Sequence, residues 1–504
     1  MSRTHRILVS LSAIFCSIIL MPPLVAAASE QPSLKLTILY MNDLHAHYLP
    51  YKIKEQPEPI GGFAKAQTVL EENRERSTTE GRETLTLMAG DLLMGTPFST
   101  AFRGELGVVL MNAMKFDAMV VGNHEFDYGL SNLMENLKPR MKFPLLSANT
   151  KTADGRYLFE RFITRDSKHG TRIVVFGLTT GSTPNMTLAQ NVEGLVFSKP
   201  IGTARELLRE FKDEDLVIAL THLGVTLDRK LAEACPAIDV IIGGHSHTII
   251  QTPEKVGNTL ICQAGAYAEY VGKLDLEAIN GKVVDSRGEL LFLGPDVKPD
   301  DKIASMIQEY RDRMEATYGE AIATSEIFLE GGRRSVRSDK QTNLGKLIAW
   351  LMARNVDAQV GLMNGGGIRA SLPEGTITVG DVYTTLPFHD NVIKITMLGK
   401  HLQKVLQRSR DLEPGSGGKL HTSGITFTMQ RGKVRILEVR GTPFQPDKEY
   451  TVAISNFLAT GGDGYTIFRN KGKNIIDSGT VVSDLFIDFL RKHPVVTQKT
   501  IDEL

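Results

Sequence analysis

Short apolar runs of strand length recur through the first half of the chain, separated by stretches with helical spacing. Residues 34–40, 85–89, 117–121, 172–177, 216–220 and 238–242 are almost unbroken by polar side chains. Such runs predict strands covered on both faces, not strands with one wet face. Residues 107–115, 201–211 and 227–234 read as helices lying between strands. Repeated βα units of this kind predict an α/β domain over residues 34–295. Residues 298–318 are charged, with apolar positions at Ile303, Met306, Ile307 and Met314, and predict a helix within a linker at 296–320. A second, smaller α/β unit is expected over 321–504, its best helix at 343–352.

The residues just after each predicted strand carry the chemistry. The first strand leads to Asp43 and His45, and the second to Gly90-Asp91. The third leads into Gly122-Asn123-His124-Glu125, with Asp127 close behind. The fifth leads to His222, and the sixth to Gly243-Gly244-His245-Ser246-His247. Open α/β sheets build their sites at the carboxyl ends of strands. Five such ends use five of the chain's twelve histidines, which is far from chance capping. The donors are carboxylate, imidazole and amide, without thiolate, and too many for one tetrahedral ion. They fit two borderline divalent cations sharing a bridging carboxylate. Asp127 is near enough in sequence to hydrogen-bond the far ring nitrogen of His124 and fix its tautomer.

In the second half the distinctive stretch is Met363-Asn364-Gly365-Gly366-Gly367-Ile368-Arg369. A glycine run beside arginine offers open backbone N–H groups and a forked donor, suited to an anionic or polyhydroxyl ligand.

Asp43-x-His45, Gly90-Asp91, Gly122-Asn123-His124-Glu125, His222 and Gly244-His245-x-His247 together resemble the metallophosphoesterase signature. With the second half, the chain resembles the 5′-nucleotidase / UDP-sugar hydrolase family from about Leu34 to near its end. That resemblance implies an α/β (α+β) fold: a metallophosphoesterase-like βαβ sandwich over 34–295, and a nucleoside-binding domain over 321–504. It implies one divalent ion (Zn, Mn or Co) on Asp43, His45, Asp91 and His247. A second would sit on Asp91, Asn123, His222 and His245, with His124 and Asp127 as the catalytic dyad. Relatives often carry Gln or Asn where His247 stands. On the substrate side it implies Arg337, Asn364, Arg369 and Asp463, with Phe388 and Phe457 sandwiching the base. The implied activity is phosphate removal from nucleoside 5′-monophosphates, extending to UDP-sugars, nucleoside diphosphates or 2′,3′-cyclic nucleotides. Two alternatives are a related hydrolase on a non-nucleotide ester, such as a thiosulfohydrolase, and an exported nucleotide-binding protein without catalysis. No chemistry is assigned to residues 414–418, and His47 is expected behind the ligands or at the surface.

Composition narrows the partners. Lys+Arg and Asp+Glu both total 58, so no nucleic-acid polymer is expected to bind. Residues 1–28 have a basic start (Arg3, Arg6), an apolar stretch over 7–20 and small residues at Ala26-Ala27-Ala28. They predict a cleaved signal peptide, export to the periplasm or extracellular space, and no stable membrane span afterwards. Cys235 and Cys262 sit in apolar surroundings and are expected as two buried thiols.

Overall fold

The computed structural model describes residues 33–53, 56–388 and 390–502. The expected signal peptide, residues 1–28, lies outside them. Among the described residues no helix is long and apolar enough to cross a membrane.

The first half builds two six-stranded sheets. In the first the order is Lys282–Phe292, Tyr270–Ile279, Leu34–Met41, Glu83–Met88, Ala118–Val120, Leu145–Leu146. In the second it is Glu254–Val256, Thr259–Cys262, Val240–Ile242, Leu216–His222, Arg172–Thr179, Phe162–Asp166. The strands that carry candidate ligands run parallel to their predicted neighbours. Period-two alternation explains the layers. Leu36, Ile38 and Tyr40 point into one core with Leu87, Ile218, Leu220 and Ile242, so the two sheets face each other. Leu39 and Met41 point the opposite way, under the helices Phe63–Thr79 and Glu105–Ala113. Val217, Ala219 and Ile241 do the same beneath Pro200–Leu207 and Val225–Ala234. The inner strands of both sheets are buried on both sides, as their nearly unbroken apolar runs predict.

The hairpin of Tyr270–Ile279 with Lys282–Phe292 adds antiparallel strands to the first sheet, which the sequence pattern does not predict. The physical reason is exposure: Lys282–Phe292 is largely at the surface, and most of its length is polar, with apolar residues in succession only at Val283-Val284 and Leu290-Leu291-Phe292. The linker helix spans Asp301–Tyr318 and is capped by Asp300, whose Oδ1 accepts from the Ile303 N–H at 2.8 Å. It is no free connector. Ile303, Ile307 and Tyr310 join the first-half core, and the Tyr310 hydroxyl donates to Glu105 at 2.8 Å.

The second half centres on a five-stranded sheet ordered Leu420–Ser423, Val360–Asn364, Glu449–Ser455, Asn391–Leu398, Lys473–Val481. Helices Asn343–Asn355 and Val482–Lys492 share a core on one face. Helix Gly399–Asp411 covers the other. Cys235 and Cys262 are buried free thiols.

Candidate active site

The turns after the five ligand-bearing strands meet at one end of the two facing sheets. Asp43 (φ +51°), His45 (+47°), Asp91 (+58°), His245 (+78°) and His247 (+56°) all adopt left-handed backbone. That region is costly for non-glycine residues and is held only where the surroundings over-determine it. Gly244 is obligatory among them, since a Cβ there would stand 2.3 Å from the Ala89 carbonyl oxygen.

The partners of two histidines set their tautomers. His222 Nδ1 donates to the Ala89 carbonyl at 2.7 Å, and His45 Nδ1 faces the Leu93 carbonyl at 3.2 Å. The Nε2 atoms are therefore left as lone pairs aimed inward. His45 Nε2 lies 3.1 Å from His247 Nε2, 3.9 Å from Asp43 Oδ1 and 3.8 Å from Asp91 Oδ2. His222 Nε2 lies 3.0 Å from Asp91 Oδ2. Asp43 Oδ1, Asn123 Oδ1 and His222 Nε2 are buried with no hydrogen-bond partner among the described residues. Clustered, buried, unpaired acceptors are unfavourable unless a positive charge joins them. The field says the same. Burial works against a charged His222, yet the Asp91 and Asp43 carboxylates push it up to about 10, so without a cation a proton would occupy the Nε2 lone pair that an ion would otherwise take. Burial drives His245 down to about 4. Asp43-His45-His247 and Asp91-His222-His245 each bring their ligand atoms within 4.8 Å of one another. The donor set thus fits two divalent cations, with Asp91 between the groups.

His124 Nδ1 lies 2.5 Å from Asp127 Oδ2, and the His124 N–H donates to Asp91 Oδ1 at 3.0 Å. The dyad is tied to the centre of the cluster.

A cavity of about 720 Å³ opens above it, walled by both halves of the chain. It is lined by Asp91, Asn123, His124, Asp127, His245 and His247 from the first half, and by Arg337, Asn364, Arg369, Phe388, Phe457 and Asp463 from the second. The other three predicted residues, Asp43, His45 and His222, lie fully buried beneath. Asn364 Nδ2 donates to Asp463 Oδ2 at 2.9 Å, and Arg369 reaches within 3.4 Å of His45 Nε2. Phe388 tilts over His124 with ring centroids 6.0 Å apart, and Phe457 rests against Gly462, which has no room for a Cβ.

Comparison with known proteins agrees with this layout. Residues 36–248 match the calcineurin-like phosphoesterase model, and residues 321–470 match the 5′-nucleotidase C-terminal domain model. A 5′-nucleotidase of Vibrio vulnificus is 30% identical over 91% of this chain and 90% of its own length. The chain belongs to the 5′-nucleotidase family. It is accordingly a metal-dependent phosphoric monoester hydrolase. The crystal structure of a 5′-nucleotidase precursor from Thermus thermophilus superimposes with a TM-score of 0.82 at 30% identity, covering 92% of this chain and 97% of that one. The trifunctional nucleotide phosphoesterase YfkN of Bacillus subtilis is 29% identical over 91% of this chain, which spans about a third (34%) of that relative.

The nucleotidase fold also brings in residues that the sequence pattern does not single out. Arg333 lines the cavity beside Arg337 and Arg369, and burial lowers the pKa of both Arg333 and Arg337. Arg333 and Arg337 lie four apart around the short helix Arg333–Val336, so they share a face while Arg334 is exposed. That spacing was the available signal. Asp390 also faces the cavity, and burial, with Asp127 and Asp463 nearby, pushes its carboxyl up to about 7. The turn at 414–418, given no chemistry above, contributes to the wall of the cavity through Pro414, Gly415, Ser416 and Gly417. Its backbone packs against the glycine run, with the Gly366 N–H donating to the Gly417 carbonyl at 2.7 Å. His47 lies behind the ligands, its ring 4.3 Å from that of Tyr267.

Proposed function

We propose that this chain removes the phosphate from nucleoside 5′-monophosphates, using two divalent cations of the Zn, Mn or Co type. Asp43, His45, Asp91 and His247 would hold one, and Asp91, Asn123, His222 and His245 the other. The observation that carries this reading is the single cavity in which the ligand cluster and the His124–Asp127 dyad face Phe388, Phe457 and Asp463. Bound there, two divalent ions supply Lewis acidity toward phosphoryl oxygens and a water acidic enough to attack near neutral pH.

The chain's own residues supply the rest. Asp127 accepts the His124 Nδ1 proton, which fixes the tautomer and leaves Nε2 to meet the phosphoryl or leaving-group oxygen. Arg333, Arg337 and Arg369 offer forked cationic donors to the phosphate. Asp463, oriented by Asn364, accepts from ribose hydroxyls. Phe388 and Phe457 present flat faces to the base, which tolerates several base identities. Residues 1–28 direct export to the periplasm or extracellular space, with no polymeric nucleic-acid partner.

A hydrolysis panel tests the reading: phosphate release from nucleoside 5′-monophosphates and diphosphates, chromatography of the nucleotide products of UDP-sugars and 2′,3′-cyclic nucleotides, and sulfate release from thiosulfate-type esters, each with and without chelator. Turnover of 5′-monophosphates that is lost on chelation and regained with Mn, Co or Zn is expected. Turnover of a base-free ester alone, or chelator-insensitive binding without hydrolysis, would reject it.

A further inference from the structure

Glu125 has no place in the chemistry described so far, although it sits beside His124 and is buried. Its carboxylate is surrounded by backbone donors from two different turns. Oε2 accepts from the Gly122 N–H at 2.7 Å and from the Asp91 N–H at 3.0 Å. Oε1 accepts from the Leu92 N–H at 2.8 Å and stands 3.4 Å from the Leu93 nitrogen. One side chain thus joins the turn that presents Asp91 to the turn that presents Asn123 and His124.

The junction is crowded as well as bonded. A Cβ on Gly122 would fall 2.3 Å from Asp91 Oδ1 and 2.8 Å from Glu125 Oε2. Asp91 holds its left-handed backbone at φ +58° inside this contact. Aspartate tolerates αL better than most residues, but the conformation still costs it more than glycine and has to be held by its surroundings. Charge-assisted bonds from the flanking N–H groups supply the missing preference.

We infer that Glu125 is a positioning residue, which clamps the Gly90–Leu93 turn to the Gly122–His124 turn and so sets the spacing of Asp91, Asn123 and His124. This inference rests on the two-cation reading above. The two ion positions do not depend on it equally. In the group Asp91, Asn123, His222 and His245, two donors ride on clamped turns. In the group Asp43, His45, Asp91 and His247, only Asp91 does. Loosening the clamp therefore weakens the first group more than the second.

The test is calorimetric titration of the metal-free full chain with Mn²⁺, comparing wild type, Glu125→Gln, Asn123→Ala and the double variant. Gln keeps the shape but turns an NH₂ toward backbone donors. Wild type is expected to bind two equivalents. Glu125→Gln should keep one at near wild-type affinity and bind the other about 10–100-fold more weakly, the usual effect of removing a group that orients ligands. Its lost kcat should return as Mn²⁺ is raised, with KM for nucleotide unchanged. Adding Glu125→Gln to Asn123→Ala should weaken Mn²⁺ binding little further, because both act on one position. Should Glu125→Gln fail to fold, Glu125→Asp, which keeps the charge but withdraws it by one methylene, is read in the same way. Wild-type Mn²⁺ affinities in a folded variant, or equal weakening of both equivalents alongside a lowered metal-free melting temperature, would overturn the clamp. Fewer than two equivalents in wild type would overturn the two-cation reading itself.

Discussion

Asp127 Oδ2 lies 2.5 Å from His124 Nδ1, three residues apart on a single turn of 3₁₀ helix. The contact fixes which nitrogen of His124 carries the proton, and the imidazole can then act only through Nε2. His124→Ala should lower kcat by roughly 10²–10⁴ with little change in KM, the range for a positioned acid or base. Asp127→Asn should lower kcat in the same direction, and the double variant should fall well short of the product of the two losses, because the pair acts as a unit. Steady-state phosphate release checks all three.

Phe457 rests against Gly462 in the part of the cavity wall that the second half contributes, whereas the ligand cluster belongs to the first half. Truncation should therefore touch recognition and spare chemistry. Phe457→Ala should cost nucleoside monophosphates about 1–3 kcal/mol of base stacking, or roughly 5–150-fold in kcat/KM. Hydrolysis of p-nitrophenyl phosphate, which has no nucleobase, should change by less than about twofold. Equal losses on both substrates would remove Phe457 from the base site.

The two halves were legible in the sequence to different depths, for a physical reason. Metal-type ligands come directly after strands, so a local motif carries both the strand and the donor; His222 and Asp91 meet at 3.0 Å although they are far apart along the chain. The substrate wall has no such local grammar. Arg369 stands out beside three glycines, whereas Arg333 looks like any surface arginine until helix Arg333–Val336 turns it beside Arg337. The 414–418 turn reads as an ordinary connection, and its place in the cavity wall comes from a backbone approach to Gly366 that only the folded chain creates. The exposed Lys282–Phe292 strand is hidden in the sequence because its polar middle, Asp285 to Glu289, pairs through main-chain bonds that leave no apolar trace.

Arg333 and Arg337 illustrate a cost that the ligand offsets. Burial and mutual repulsion, with Arg369 adding to both, lower their pKa values in the free protein. Removing one buried like charge should relieve that repulsion. Arg333→Met is expected to leave the free protein's melting temperature unchanged or higher, while weakening inorganic phosphate as a competitive inhibitor by roughly 10–100-fold, the worth of one charge-assisted hydrogen bond. Thermal shift with and without phosphate checks both signs at once. A lower melting temperature with unchanged phosphate affinity would show Arg333 to be structural.

His421 provides a pH signature away from the ligand cluster. Its ring packs on Gly345, Nε2 donates to the Val336 carbonyl at 3.0 Å, and Nδ1 accepts from the Thr342 N–H at 3.3 Å. Both nitrogens are used by the neutral ring, and burial holds its pKa down at about 4. The unfolded chain titrates near 6.5. Between those values the unfolded state takes up a proton that the folded state refuses. His421 therefore contributes its full stability above pH 6.5 and loses it as pH falls toward 4, by about 3 kcal/mol at most. His421→Gln keeps a donor for Val336 but cannot titrate. Urea unfolding of the metal-free chain at a series of pH values should show the wild type losing stability more steeply than the variant between pH 6.5 and 4, with parallel curves above 6.5. Curves that stay parallel throughout would mean that His421 is protonated in the folded state.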